Sequence, residues 1–321
     1  MFDYFHIIRT IFIAFIISVI LGPILIPILK KLKVGQSIRE EGPKSHYAKT
    51  GTPTMGGIIF LVSLIITIVS SGQLSRDLMI LLAATLGFGL IGFIDDYIIV
   101  VRKSNEGLSA SQKFIAQVVL AIILALYQSN TSMAGTSVIV PFLSNTLLDF
   151  GIFYIPFVVF VVVGTVNSVN LTDGLDGLAS GVSIIVLSFF AIVATMWGVD
   201  DISIFTAALI GACLGFLIHN SYPAKVFMGD TGSLALGGAI AGIAIILNLS
   251  LILPIVGGIF FIETLSVIIQ VISFKTRGKR VFLMSPLHHH LEHKGWKETK
   301  VVIVFWFIAV LLSIIGLVAI F

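Results

Sequence analysis

Acidic residues with a spacing that suits metal or phosphate chemistry stand at the ends of apolar segments. They are Asp95 and Asp96 in GFIDDY, Asp173 and Asp176 in NLTDGLDGLASG, and Asp230 in FMGDTGSLALGG. Adjacent carboxylates repel each other unless a proton or a cation lies between them. Magnesium prefers such oxygen ligands and also takes substrate phosphate oxygens. We therefore predict a magnesium or phosphate site that includes Asp173. The alternative is that Asp95-Asp96 and Asp176 only cap neighbouring backbone.

The segment around Asp230 also suits recognition of a phosphorylated ligand. Backbone N–H groups at the start of a helix favour phosphate, and the apolar segment that follows Asp230 is predicted to be helical. Asn220 precedes this turn in HNSYPAKVF. Phe227 lies within the same polar turn, so its ring could stack on a flat base. The alternative is that Phe227 is a packing residue.

Basic groups and histidines complete the set of candidate ligand-binding residues. Lys44 lies in the first polar loop, and Lys113 lies close to the start of the fourth apolar segment. The last polar loop contains SPLHHHLEHKGW, in which His288, His289 and His290 are predicted to donate to phosphate or sugar oxygens. Zinc is the alternative, but no cysteine lies nearby and zinc sites commonly use one.

Glu263 is the acidic residue predicted to lie deepest in an apolar segment. If that helix begins near Leu251, a rise of about 1.5 Å per residue places Glu263 roughly 18 Å along it. A carboxylate at that depth is predicted to face a cavity rather than lipid. Pro254 and Gly257-Gly258 are expected to bend this helix.

The elements that must position these residues are membrane spans. The chain has 321 residues, of which 57% are hydrophobic and only 11% charged, against roughly a quarter charged in soluble domains. Ten apolar segments have lengths near the ~20 residues that cross a bilayer. The fold class is therefore all-α, a polytopic membrane protein with one domain over residues 1–321. The predicted spans are 6–29, 54–72, 78–94, 114–127, 152–166, 178–197, 203–218, 231–247, 251–273 and 301–320.

Basic residues divide unequally between the two sets of alternating loops. Of the 19 Lys and Arg residues, only Arg9 and Arg76 lie in or near the set that includes the termini. The other set comprises 30–53, 95–113, 167–177, 219–230 and 274–300. Short loops rich in Lys and Arg stay in the cytoplasm. Both termini are therefore predicted to face outward, with the candidate ligand-binding residues on the cytoplasmic side. TSVIVPF in the outer loop 128–151 is predicted to form a small hairpin, and Cys213 is predicted to be buried.

Several motifs together resemble those of the polyprenyl-phosphate N-acetylhexosamine-1-phosphate transferases. The motifs are TPTMGG, DDY, NLTDGLDGLA, MGDTGSLALGG and PLHHHLEHKGW. The resemblance covers nearly the whole chain. It implies transfer of phospho-MurNAc-pentapeptide from UDP-MurNAc-pentapeptide to undecaprenyl phosphate in the bacterial plasma membrane. The products would be UMP and the first lipid-linked peptidoglycan precursor. It also implies dependence on magnesium and a homodimer; a nucleic-acid partner is not expected.

The resemblance also implies roles for individual residues. Asp95, Asp96 and Asp230 become the catalytic carboxylates, with Asp230 the favoured magnesium ligand. The remaining candidates contact the nucleotide, the phosphates or the reacting groups: Lys44, Lys113, Asn170, Asp173, Asn220, Phe227, Glu263, His288, His289 and His290.

Two other functions are consistent with parts of the sequence. A sibling enzyme could transfer GlcNAc-1-phosphate to the same lipid, although the histidine-rich loop argues against it. A secondary transporter would place its substrate near the middle of the membrane and often contains repeats. The acidic residues here crowd one side instead, and no repeat is visible.

Overall fold

The computed structural model describes residues 4–32, 49, 51–72, 75–102, 107–143 and 146–321. Within these ranges the regular secondary structure is helical apart from one short hairpin, which confirms the prediction of an all-α polytopic membrane protein. The helices are α1 (Tyr4–Lys31), α2 (Gly57–Ser71), α3 (Arg76–Arg102), α4 (Ala110–Thr131), α5 (Tyr154–Thr172), α6 (Leu178–Met196), α7 (Asp200–Asn220), α8 (Gly229–Ile246), α9 (Leu253–Val256), α10 (Gly258–Arg277), α11 (Leu287–His293) and α12 (Glu298–Ile320).

Nine of the described helices are long and apolar enough to cross a membrane. The second predicted span corresponds to α2, which has only 15 residues. The ninth predicted span is interrupted at Gly257, between α9 and α10, where we expected a bend. Cys213 lies in α7 and is fully buried, as predicted.

Helix α8 occupies the centre of the bundle and packs against α3 and α5. Small residues in GDTGSLALGGAIAG permit this position, because they let neighbouring backbones approach closely. The closest approach is at Gly92 of α3, where a Cβ atom would lie 2.0 Å from the carbonyl oxygen of Asp230. Only glycine fits there. This contact brings the last turns of α3, which carry Asp95 and Asp96, beside the start of α8.

The predicted hairpin is confirmed at the other end of the bundle. Strand β1 (Ser137–Ile139) pairs antiparallel with β2 (Leu147–Asp149). The N–H of Ile139 donates to the carbonyl of Asn248, which follows the end of α8, at 2.9 Å. Because Asp230 lies at the start of α8, the hairpin and the candidate site are separated by the length of this helix.

Candidate active site

Most of the predicted site residues in the described ranges line one cavity of about 1020 Å³. The cavity lies where the loops that follow α3, α5, α7 and α10 meet. The predicted residues that line it are Asp95, Lys113, Asn170, Asp173, Asn220, Phe227, Asp230, His288 and His289. Asp96, Glu263 and His290 do not belong to this lining, and Lys44 falls outside the described residues.

Lys113 joins the two carboxylates that face the cavity from α3 and α8. Its Nζ lies 2.6 Å from Asp230 Oδ2 and 3.1 Å from Asp95 Oδ1. The lysine is positioned by a capping box at the start of α4, in which Ser109 and Gln112 satisfy each other's backbone N–H groups. Asp95 Oδ1 also accepts the N–H of Leu108 at 2.9 Å, which fixes the chain just before α4.

Asn170 holds the other oxygen of Asp230. Its Nδ2 donates to Asp230 Oδ1 at 2.9 Å and to Ser233 Oγ at 2.8 Å. Asp173, one turn further along, is half-buried at the cavity wall. Burial, followed by repulsion from Asp230 and Asp96, raises the pKa of Asp173 to about 8. One lysine, Lys113, therefore stands among several carboxylates, since it is shared by Asp95 and Asp230.

The donor set at this place fits magnesium. No cluster of three His, Cys, Asp or Glu residues suited to a metal occurs in the part of the chain that the structure describes. Magnesium, however, commonly keeps several waters and uses only one or two carboxylates together with substrate phosphates. Asp230 and Asp173 supply two such carboxylates at the cavity, and Lys113 already places a positive charge against Asp230. Asp230 and Asp173 are therefore the residues that would hold the ion.

Glu263 contacts the histidine loop rather than the open cavity. It is fully buried within α10, and its Oε1 accepts the backbone N–H of His288 at 3.2 Å. The Nδ1 of His288 lies 3.2 Å from Glu263 Oε2, an ion-pair distance without the angle of a hydrogen bond. The prediction that Glu263 avoids lipid is consistent with this burial, but the expectation that it faces a cavity is not met, because the backbone of His288 occupies the space beside its carboxylate.

The other ring nitrogen of His288 faces the loop after α5. A Cβ atom on Gly174 would lie 2.2 Å from His288 Nε2, so the imidazole packs directly on this glycine. The adjacent His289 pairs with Glu292 at 2.8 Å. His290 Nδ1 accepts the N–H of Leu283 at 3.1 Å, which gives this ring a contact within its own loop.

Phe227 is held in the cavity wall by the TPTMGG segment. Its N–H donates to the carbonyl of Pro53, and its carbonyl accepts the N–H of Gly56, both at 2.8 Å. Asn220 supports the same wall: its Oδ1 accepts from Ser180 Oγ at 2.7 Å, and its Nδ2 donates to Val226 at 3.1 Å. The half-buried Phe227 ring thus has a fixed backbone and lines open space.

A buried ion cluster beside Phe227 was not predicted from the sequence. Lys49 Nζ lies 2.7 Å from Asp176 Oδ1 and 2.6 Å from Glu298 Oε1, and Glu298 also accepts the N–H of Asp176 at 2.7 Å. The other oxygen of Asp176 accepts the N–H of Ala224 at 2.9 Å. Burial lowers the pKa of Lys49, but the bonds to Asp176 and Glu298 outweigh it and raise that pKa. The cluster ties the first loop to the start of α12 and to the loops after α5 and α7.

Local sequence patterns contain little sign of this cluster. Glu298 stands in the first turn of α12, where an acidic residue is usually explained by the helix dipole. The alternative that Asp176 caps α6 is wrong, because the residue at that cap is Gly177. Its partners Lys49 and Glu298 are 127 and 122 residues away along the chain, and such a pairing cannot be read from local spacing.

Comparison with known proteins identifies the family. The sequence profile of glycosyl transferase family 4 matches residues 78–248. A protein of Alkaliphilus metalliredigens (strain QYMF) named phospho-N-acetylmuramoyl-pentapeptide-transferase is 62% identical, over 99% of each chain. The chain belongs to the phospho-N-acetylmuramoyl-pentapeptide-transferase family.

Other members of this family are similar along nearly their whole length. The protein of Alkaliphilus oremlandii (strain OhILAs) is 61% identical over 97% of this chain and 96% of its own. That of Halalkalibacterium halodurans is 54% identical over 96% and 95%. The resemblance predicted from the motifs is therefore confirmed. The chain is a multi-pass membrane transferase of glycosyl transferase family 4.

Proposed function

We propose that this chain transfers phospho-MurNAc-pentapeptide from UDP-MurNAc-pentapeptide to undecaprenyl phosphate. UMP is released, and lipid I, the first lipid-linked peptidoglycan precursor, is formed. The observation that carries the proposal is the cavity in which Lys113 joins Asp95 and Asp230 beside a half-buried aromatic ring. The names of the most similar family members support the choice of substrate.

The nucleotide and the phosphates are assigned to different parts of the cavity. The ring of Phe227 stacks on the uracil, with Asn220 and Asp173 in the adjacent wall. Lys113 and Asn170 face the diphosphate, because their donors bind Asp230. His288 and His289, which line the same cavity, are assigned to the phosphate and sugar oxygens. Glu263 and His290 act behind this surface through the histidine loop. Lys44 remains a predicted contact to the substrate.

Magnesium, when bound, would screen the repulsion between donor and acceptor phosphates and stabilise the leaving phosphate of UMP. Asp230 and Asp173 would hold it. Two side chains fix Asp230 before the reaction: Asn170 binds one of its carboxylate oxygens, and Lys113 binds the other. Fixed groups of this kind stabilise a phosphoryl transition state without reorganisation.

The acceptor attacks directly, without a phospho-enzyme. A phosphate monoester has its second pKa near about 6, so the lipid phosphate is mostly a dianion at neutral pH. Its oxygen forms a bond to the sugar-proximal phosphorus as the bond to the UMP oxygen breaks. Asp95, which lines the cavity, accepts any proton left on the acceptor. The competing scheme makes an aspartate the nucleophile and needs two steps.

The reaction is tested with purified protein, UDP-MurNAc-pentapeptide, undecaprenyl phosphate and Mg²⁺, scored by release of UMP. UDP-GlcNAc in a parallel reaction tests the sibling activity, and preference for it would overturn the proposal. The mechanism has its own observable: a covalent intermediate lets labelled UMP exchange into the donor without acceptor. Exchange in enzyme stripped of endogenous lipid, lost in one Asp→Asn variant, would disprove direct attack.

We also propose that the reaction takes place at the cytoplasmic face of the bacterial plasma membrane, in a homodimer. The loops that contribute to the cavity belong to the set with 17 of the 19 basic residues, which supports that orientation. The dimer follows from the family resemblance and is tested by the mass of the purified protein–detergent complex.

A further inference from the structure

Asp95 and Asp96 are adjacent in the chain but contact different parts of the molecule. Successive residues of an α-helix point about 100° apart. Asp95 faces the cavity and contacts Lys113. Asp96 faces α8, is 3% exposed and is not part of the cavity lining. The two aspartates are therefore neighbours in sequence with different environments.

Both carboxylate oxygens of Asp96 are engaged by the first turn of α8. Its Oδ2 accepts the N–H of Thr231 at 2.9 Å and the hydroxyl of Thr231 at 2.7 Å. Its Oδ1 accepts the N–H of Asp230 at 3.3 Å. The first N–H groups of a helix have no partner within the helix, and Met228 at the cap position supplies no side-chain bond. Asp96 thus caps α8 from a neighbouring helix.

We propose that Asp96 is a positioning residue that acts through Asp230, whereas Asp95 alone of the pair meets the reacting groups. This inference rests on the proposed function. Asp230 is held from two sides: Asp96 binds its backbone N–H, while Asn170 and Lys113 bind its carboxylate. A carboxylate with three donors on its two oxygens, directed at a helix end, is poorly placed to accept a proton from a substrate.

The alternative is that Asp96 itself contacts the substrate or accepts its proton. The two roles differ in what Thr231 does. If Asp96 acts through the start of α8, loss of the Thr231 hydroxyl should disturb Asp230 in the same way as loss of the Asp96 charge. If Asp96 acts on the substrate instead, loss of its charge should lower turnover without weakening the binding of a divalent cation at Asp230.

The test is a double-mutant cycle with Asp96→Asn and Thr231→Val in the purified full-length enzyme. The readout is binding of Mn²⁺ in the presence of UMP, measured by electron paramagnetic resonance, with turnover measured separately. We expect each change to weaken Mn²⁺ binding by about tenfold. The Mn²⁺ affinity of the double variant should fall by clearly less than the product of the two single-variant factors, because both side chains act through one helix end.

Three further results decide the inference. Thr231→Ser, which keeps the hydroxyl, should retain more Mn²⁺ affinity than Thr231→Val, and this pair carries the test if Asp96→Asn does not fold. Unchanged Mn²⁺ binding in Asp96→Asn, with turnover lost as fully as in Asp95→Asn, would overturn it. Wild-type protein that binds no Mn²⁺ would overturn it as well. If the Mn²⁺ pattern holds but UDP-MurNAc-pentapeptide gives no UMP, the proposed reaction fails and the positioning role stands.

Discussion

Removing Lys49 should leave two buried carboxylates facing each other without a cation. Lys49 Nζ lies 2.7 Å from Asp176 and 2.6 Å from Glu298, and the three side chains are only 14%, 2% and 8% exposed. Breaking a buried ion pair by removing one partner typically costs 3–5 kcal/mol, because an uncompensated charge remains. We therefore expect Lys49→Met to destabilise the fold by about that amount. The methionine keeps most of the apolar length of the lysine.

The single cysteine of the chain provides the assay. Cys213 is fully buried in α7, so a thiol-reactive dye labels it only when the protein opens. A tenfold change in an opening equilibrium corresponds to about 1.4 kcal/mol. The expected destabilisation then raises the labelling rate by at least about a hundredfold when closing is faster than labelling. Lys297→Met is the matched control, because Lys297 is exposed and adjacent to Glu298.

The pH dependence of the variant separates charge from packing. Without Lys49, like-charge repulsion favours uptake of a proton by one of the two carboxylates in the folded state. A group that binds its proton more tightly when folded adds stability as the pH falls. The excess labelling of Lys49→Met should therefore shrink from pH 8 to pH 5. Labelling at the wild-type rate throughout, or an excess independent of pH, would refute the electrostatic reasoning.

Four other outcomes follow from the site and its orientation. Asp230→Asn should lower turnover by at least about a hundredfold, because a positioned charge at a phosphoryl transition state is lost; Asp200→Asn, at the far end, should not, and equal effects would remove Asp230 from the site. Phe227→Ala should weaken binding of UDP-MurNAc-pentapeptide by about 1–3 kcal/mol and Phe227→Trp by much less, measured calorimetrically; unchanged affinity would make the ring a packing residue. Chelation of divalent cations should abolish UMP release and Mg²⁺ should restore it, whereas persistence of the reaction in chelator would exclude the metal. A cysteine at Met133 should react with an impermeant thiol reagent on intact cells and one at Lys294 should not; the reverse labelling would invert the proposed orientation.

The membrane architecture could be predicted because it depends on local sequence. Apolar length alone located the spans, and the glycines at 257 and 258 located the break before α10. The ends were less accurate: α4 begins at Ala110 rather than near 114, and α3 continues to Arg102 rather than ending near 94. Polar residues at these ends are helical because caps and neighbouring helices provide partners for their hydrogen-bonding groups. A hydropathy profile shows neither the caps nor these contacts.

The candidate site was predictable in its members but not in its contacts. Aspartates, asparagines and glycines stood out because their types are unusual beside apolar segments. Which of two adjacent aspartates faces the cavity depends on the rotation of α3 against α8, and this is set by the close approach at Gly92. Likewise, Glu263 could be expected to avoid lipid, but its contact with His288 depends on how α10 packs against α11.

The pairing of charges around the cavity explains why lysines alone are insufficient for the proposed reaction. Lys113 is shared by Asp95 and Asp230, and Lys49 by Asp176 and Glu298. Each lysine is thus outnumbered by two carboxylates and brings no surplus positive charge to a ligand. The proposed reaction would bring a diphosphate and a phosphate monoester together at this place, and their mutual repulsion would grow as the cavity excludes water. Arg102 lines the same cavity, and a divalent cation on Asp230 would add further positive charge without changing the residues that position the substrates.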